Sequence, residues 1–229
     1  MYISTGCPVI DKILGGGIPL GFLTFIYGEV GSGKTSLALQ IACQTALSDR
    51  KFIYIDALGK ISSRRVKDIM GYLDERRRAN GLFIIIKNFQ ELHNLSLELE
   101  YILNPRVSLI VIDVLTRPYR LALGTKAVNV KLNKMLNQIM AMLYKIVRYY
   151  NVALLALGDV RVTPEGEEPV AIKIIEYWSD IIIHIMKAEI PNRRTIMVEK
   201  HFIKELEGMK AICIISRNGL RGVRIEGSP

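Results

Sequence analysis

Along this chain, short continuous apolar runs alternate with longer segments in which apolar residues recur every three to four positions. Strand-length runs at 22–27, 52–55, 82–86 and 107–112 are each followed by a helix-period segment, at 34–47, 62–78, 90–103 and 129–150, and a further run lies at 152–157. A strand that returns through a helix predicts parallel neighbours in one sheet. Leu82-Phe83-Ile84-Ile85-Ile86 and Leu109-Ile110-Val111-Ile112 are apolar at every position, which suits strands covered by helices on both faces. After residue 180 the helical period stops. Three β-rich runs follow at 181–186, 195–199 and 211–215, with turn-prone Pro191-Asn192 and Glu207-Gly208 between them. The pattern predicts an α/β fold: a doubly wound, mostly parallel sheet flanked by helices, with antiparallel β-hairpins at its C-terminal edge. No low-complexity tract, internal repeat or Pro/Gly/Ser linker divides the chain, so residues 1–229 are expected to form a single domain.

Composition narrows the class. Half the residues are apolar, yet no uninterrupted apolar stretch approaches the roughly 20 residues of a membrane-spanning helix. Met1-Tyr2-Ile3-Ser4-Thr5-Gly6 has neither the basic start nor the apolar core of an export signal, and a cytoplasmic protein with no membrane partner is expected. Cys7, Cys43 and Cys213 are odd in number, far apart and without C-x-x-C spacing, which argues against disulfides or zinc and for buried thiols. The net charge of +9 and a pI near 9.5 favour a polyanionic partner. Basic residues cluster at Arg64-Arg65, Arg76-Arg77-Arg78, Arg193-Arg194 and from Arg217 to Arg224, although a solvated surface accounts for any one cluster equally well.

The chemistry is most legible at Gly28-Glu29-Val30-Gly31-Ser32-Gly33-Lys34-Thr35, a full G-x-x-x-x-G-K-[ST] match between the strand at 22–27 and a helical pattern through Leu37, Leu39 and Ile41. The glycines let successive N–H groups turn inward toward phosphate oxygens, and the helix N-terminus adds partial positive charge. These residues and Ser36 are the expected ATP contacts. Lys34 reaches the β- and γ-phosphates as the catalytic cation, and the Thr35 hydroxyl ligates Mg²⁺. A second metal-holding carboxylate belongs at the end of another buried strand. Asp113 fits that place, with Asp56 at the end of the 52–55 run as its rival.

Together these residues resemble the RecA-like recombinase core and, within it, the small archaeal recombinase paralogues of the RadB type, with the KaiC-like ATPases nearby. The resemblance covers almost the whole chain. It rests on Ser4-Thr5-Gly6, Leu14-Gly15-Gly16-Gly17-Ile18, the P-loop, Tyr54-Ile55-Asp56, Val111-Ile112-Asp113, Ile175-Glu176-Tyr177-Trp178-Ser179 and Val198-Glu199-Lys200-His201. Read physically, Gly15-Gly16-Gly17 is a turn returning a leading helix, Val9 to Leu14, to the first strand. Trp178 shares helical spacing with Ile174 and Ile175, as a core residue does; base stacking is the other reading. The resemblance implies an arginine packed on the adenine ring, a place matched by Arg65, with Arg64 as the alternative. It also implies an ATP site completed across a homo-oligomer interface, for which Lys200, His201 and Lys204 are candidates.

Two departures limit the analogy. Where the family carries a water-activating glutamate two residues after the second-strand aspartate, this chain reads Ile55-Asp56-Ala57-Leu58-Gly59, and a leucine cannot accept a proton. Where the family ends its fifth strand in Asn-Gln, with the glutamine sensing the γ-phosphate ahead of a DNA-contacting loop, this chain reads Leu157-Gly158-Asp159-Val160. Asp159 is either a substitute catalytic base or a plain turn aspartate. The segment from Arg161 to Glu168 holds Glu165, Glu167 and Glu168 against one arginine, poor material for gripping a phosphate backbone, so DNA contact is expected from the arginine clusters instead. The chain begins at the core, without the extra N-terminal DNA-binding domain and subunit-linking segment of full archaeal recombinases. The resemblance therefore implies an accessory factor in recombination and repair that binds DNA and the main recombinase or a paralogue, with weak or absent ATP hydrolysis. The alternative is a KaiC-like regulatory ATPase that acts on protein partners without DNA.

Overall fold

A computed structural model describes residues 1–163 and 166–226. The chain opens with β1 (Tyr2–Ile3), α1 (Pro8–Ile13) and β2 (Ile18–Pro19), and then enters the large sheet at β3 (Leu23–Tyr27). There follow α2 (Lys34–Leu47), β4 (Lys51–Ala57), the short helices α3 (Ser63–Met70) and α4 (Glu75–Arg78), β5 (Gly81–Ile86), α5 (Phe89–Glu98) and β6 (Val107–Asp113). Next come α6 (Thr116–Ala122), the long α7 (Lys126–Tyr150), β7 (Ala153–Gly158), the pair β8 (Val160–Thr163) and β9 (Gly166–Pro169), and α8 (Ile172–Trp178). The chain finishes with β10 (Ile181–Lys187), β11 (Arg193–Lys200), β12 (Lys210–Ser216) and β13 (Gly219–Glu226).

The nine-stranded sheet runs in the order β13-β12-β11-β10-β3-β7-β6-β4-β5, and every pairing from β10 to β5 is parallel. From β10 outward to β13 the pairing is antiparallel. Alternation along β6 shows how the sheet makes two cores: Leu109 and Val111 join Leu37, Ile41 and Tyr54 on the α2 side, while Ile110 and Ile112 join Leu136, Ile139 and Leu143 of α7 on the other. All three cysteines are free and buried. Among the described residues no helix is long and apolar enough to cross a membrane.

The structure corrects several expectations. Residues 82–86 form the outermost strand and are not covered on both faces: Leu82, Phe83 and Ile85 are 47%, 43% and 63% exposed. An all-apolar run reports hydrophobicity, and periodicity cannot tell whether a neighbouring strand or helix covers it. The segment 62–78 is two helices. Gly71 ends α3, Leu73 drops into the core, and Asp74 caps α4 by accepting from Arg77 N. The run at 181–186 is not part of an antiparallel hairpin edge alone, because β10 lies parallel to β3 and joins the two halves of the sheet. Asp180 fixes that joint, its carboxylate accepting from Leu23 N at 2.8 Å and its own N donating to Leu23 O at 3.0 Å. The fourth C-terminal strand, β13, was hidden by its arginines. The segment expected as a loop is a β8–β9 hairpin, with Arg161 paired to Glu168 across it; Glu165 lies outside the described residues.

Candidate nucleotide site

The P-loop joins the C-terminal end of β3 to the N-terminus of α2. Gly28 sits at φ 155°, and a Cβ there would lie 2.2 Å from Ile185 O on β10, so only glycine lets the loop pass that close to its neighbour. Ser32 is fully buried, and its Oγ has no hydrogen-bond partner among the described residues. Lys34 curls back over the loop, donating to Gly28 O at 2.6 Å and Glu29 O at 3.0 Å. Burial pulls its pKa down, and the nearby carboxylates of Asp159 and Asp113 pull it back up. This ammonium has exchanged water for loop carbonyls, and phosphate oxygens would satisfy it better. The loop, its glycines and the unpartnered Ser32 hydroxyl fit a polyphosphate chain.

Two cations hold the loop from outside. Arg194 of β11, only 8% exposed, donates through Nε to Ser32 O at 2.9 Å and through Nη2 to Gly31 O at 3.1 Å. A carbonyl drawn toward Arg194 turns the N–H of the same peptide away from it, toward the loop interior. Lys187 of β10 pairs with Glu29 at 2.9 Å. The Arg193-Arg194 pair is therefore not one exposed cluster: Arg194 is a buried brace.

Thr35 and Asp113 meet. Tyr54 Oη donates to Asp113 Oδ2 at 2.8 Å, and the Thr35 hydroxyl lies close enough to favour the charged Asp113 carboxylate. Burial pushes the Asp113 carboxyl above its ordinary range; the nearby hydroxyls of Thr35 and Tyr54 act against that, and neighbouring Asp56 adds to it. A hydroxyl and a buried carboxylate side by side are the hard oxygen donors that fit Mg²⁺. Asp56 is occupied elsewhere, accepting from Lys60 N and Ile61 N at 3.0 Å each and so closing the turn after β4.

Asp159 is neither open to solvent nor free. It is buried beside Lys34, and both its oxygens accept from the guanidinium of Arg117, at 2.9 and 3.0 Å, while its N–H donates to Thr116 Oγ1 at 3.0 Å. Arg117 escaped the sequence reading because nothing in a helix-start sequence marks one arginine as turned inward. Leu58 lies in a left-handed backbone conformation, φ 78°, with its N–H on Ile86 O at 2.7 Å.

Arg65 stands beside the P-loop and Arg64 is exposed. Arg65 donates to Ser36 Oγ at 2.7 and 3.0 Å and to the carbonyls of Ser216 and Arg217, which ties α3 and the β12–β13 turn to the start of α2. Its fork is engaged at the edge, and edge bonding of this kind leaves a guanidinium face available for stacking. Trp178 packs against the α7 side of the core and donates to Asn137 Oδ1 at 3.1 Å. Lys200, His201 and Lys204 do gather, around a cleft of about 340 Å³ with Tyr177 and Trp178. That cleft is at the start of β10, whereas Lys187 at its other end meets the P-loop. Seven extended residues at about 3.3 Å each separate them, so this cluster cannot serve the chain's own P-loop. Lys200 caps the end of α8, donating to Glu176 O and Ser179 O at 2.6 Å each.

Comparison with known proteins agrees with this geometry. The Rad51 family model matches residues 1–221. The "DNA repair and recombination protein RadB" of Methanosphaera stadtmanae is 33% identical over 202 residues, covering 85% of each chain. The protein of the same description from Methanocaldococcus jannaschii is 33% identical over 203 residues, 84% of this chain and 90% of its own. A crystal structure of the RadB recombinase superposes with a TM-score of 0.82 at 28% identity, covering 97% of this chain and all of that one.

Proposed function

Because the chain belongs to the Rad51 family of RecA-like proteins and its relatives within that family are RadB proteins, we propose that it is an ATP-binding accessory factor in homologous recombination and DNA repair. It binds DNA, the main recombinase or both, works in the cytoplasm as a single domain, and uses ATP mainly as a conformational ligand. The observation that carries this reading is a complete phosphate cradle in a chain whose expected base position is Leu58: Lys34 is withdrawn onto the loop carbonyls and Thr35 lies beside Asp113. Thr35 and Asp113 would hold Mg²⁺, which when bound would neutralise part of the phosphate charge. Gly28 to Ser36 would envelop the triphosphate, with Lys34 on its distal phosphates and Arg65 beside the base. Hydrolysis is slow or absent, since general-base assistance contributes about 10²- to 10⁴-fold and a hydrocarbon supplies none.

DNA contact is best supported at the β12–β13 hairpin and neighbouring α3, where Arg64, Lys67, Arg217, Arg221 and Arg224 are exposed and outnumber the carboxylates of Asp68, paired with Arg217, and Glu226, paired with Arg224. The β8–β9 hairpin, with Glu167 and Glu168, is the weaker candidate. A homo-oligomer in which one copy completes a neighbour's ATP site would have to use Lys204, because Lys200 is spent on the end of α8 and His201 is buried. The test is DNA affinity as salt is raised. A log–log slope of several counterions, reduced by roughly one for each hairpin arginine removed, supports the reading. No binding at low salt would instead favour a regulatory ATPase that acts on proteins. Turnover of several ATP per second, abolished in Lys34→Ala, would overturn the weak-hydrolysis part.

A further inference from the structure

Two cations share one carboxylate oxygen in the P-loop site. Asp159 Oδ1 accepts from Arg117 Nη2 at 3.0 Å and stands 3.9 Å from Lys34 Nζ, while Oδ2 accepts from Arg117 Nε at 2.9 Å. The Asp159 side chain is 4% exposed, whereas that of Arg117 keeps 25% of its surface open. Lys34 is the residue whose amine defines where the distal phosphates of a P-loop ligand sit, so an anion bracketed by Lys34 and Arg117 is where a γ-phosphate oxygen would be bracketed. We propose that Arg117 is a γ-phosphate-binding residue acting within its own chain, and that Asp159 holds its place until the triphosphate arrives. The proposal rests on reading the P-loop as an ATP site.

Three features favour a built device over an incidental ion pair. The guanidinium is aimed by two near-parallel bonds, the geometry with which arginine also grips phosphate. Its backbone is fixed, since Leu115 N donates to Leu157 O at 2.8 Å and Asp159 N to Thr116 Oγ1 at 3.0 Å, which locks the start of α6 to the end of β7. And an unpaired Asp159 beside a triphosphate would repel it, so the site tolerates this carboxylate only while a cation accompanies it. A γ-phosphate, with more charge than a carboxylate, draws Lys34 and the open edge of the Arg117 fork to itself while Asp159 keeps a share of the guanidinium. ADP, one phosphate short, leaves the Arg117–Asp159 pair as it stands. The pair therefore makes the site discriminate ATP from ADP. It also reaches the β8–β9 hairpin, because Asp159 directly precedes β8 and its carbonyl accepts from Val170 N at 3.1 Å.

The experiment compares fluorescent ATP and ADP analogues, each with Mg²⁺, on the full chain and on Arg117→Ala, Asp159→Asn and the double variant. Arg117→Ala should weaken ATP at least about tenfold and ADP by less than about threefold, the loss expected for a charged hydrogen bond. Asp159→Asn should strengthen ATP. The deciding case is the double variant: if Arg117 touches the γ-phosphate, it stays about tenfold weaker for ATP than Asp159→Asn alone. Recovery of ATP affinity to the Asp159→Asn level would overturn the proposal and reduce Arg117 to a counter-ion. Retained ADP affinity shows in the same titration that the variants are folded. If the unaltered chain bound neither nucleotide, and Lys34→Ala changed nothing, the P-loop reading itself would fall and the proposal with it.

Discussion

Arg194→Met removes the brace behind the P-loop while nearly preserving side-chain length. The arginine donates to Ser32 O and Gly31 O at 2.9 and 3.1 Å and to its neighbour Arg193 O at 2.7 Å. A hydrogen bond from a charged donor contributes about 1.5–3 kcal/mol, and a buried carbonyl left without one loses about 1–3 kcal/mol. Against this stands the desolvation of the guanidinium, which methionine does not incur. The net expectation is a loss of about 2–4 kcal/mol, or roughly 5–15 °C in unfolding temperature for a chain of this size. Nucleotide should suffer too, since a loop no longer held must be ordered on binding; about a tenfold weaker affinity for an ATP analogue follows if that ordering takes up about 1.4 kcal/mol. Scanning calorimetry and a fluorescence titration read the two quantities. Arg194→Lys keeps the charge but has no fork, so it should recover only part of each. An unfolding temperature within about 2 °C of the parent, with ATP affinity unchanged, would show that the carbonyls turn to water without consequence, and the brace would be an accident of packing.

Other substitutions test other links. Gly28→Ala places a methyl 2.2 Å from Ile185 O, so it should abolish ATP-analogue binding even where circular dichroism still reports a folded chain. Asp113→Asn probes a buried carboxyl held above its ordinary range. Such a group is better tolerated protonated, so metal-free stability should fall as pH rises through its folded pKa. The asparagine variant should lose that slope, unfold at a higher temperature near neutral pH, and no longer tighten on ATP when Mg²⁺ is added; an unchanged slope would mean Asp113 is not the group titrating. Leu58→Glu places a carboxylate where the resemblance puts a catalytic base and should raise phosphate release at least about tenfold, a gain that Lys34→Ala must erase if it is genuine.

How far the sequence reached depended on whether the signal was local. The core strands and α2 were readable because Leu23 to Tyr27, Val107 to Asp113 and Ala153 to Gly158 are buried along their whole length, and uninterrupted apolar runs mean just that. The same rule failed at Gly81 to Ile86, where Ile85 is as apolar as Ile112 but has no further strand beyond it. Whether a strand is central or outermost is decided by the rest of the chain. At β13 the opposite error arose: Arg221 and Arg224 look like a charge cluster, yet the strand needs only its pairing with β12 and the burial of Leu220 to form.

That Gly28 to Thr35 and Asp113 come together was legible because the spacing sets the geometry, with glycines for the turn, an amine and a hydroxyl at the start of α2 and a carboxylate at the end of β6. Arg194 was legible in principle, since it shares its strand parity with the buried Ile196 and Val198, and an arginine on the inner parity of a strand must find acceptors there. Arg117 was not. Its partner is 42 residues away, and the pairing exists only because β6 and β7 are neighbours that deliver the start of α6 and the end of β7 to one spot. That difference bears on how nucleotide is used here. Leu58 is a local change that removes a proton acceptor, whereas Arg117 and Asp159 add a paired charge that only the folded chain reveals. Leu58 bears on whether water is activated and Arg117 on how the γ-phosphate charge is held, so the two can be separated by experiment, and the place to look for a consequence of the second is the β8–β9 hairpin that Asp159 directly precedes.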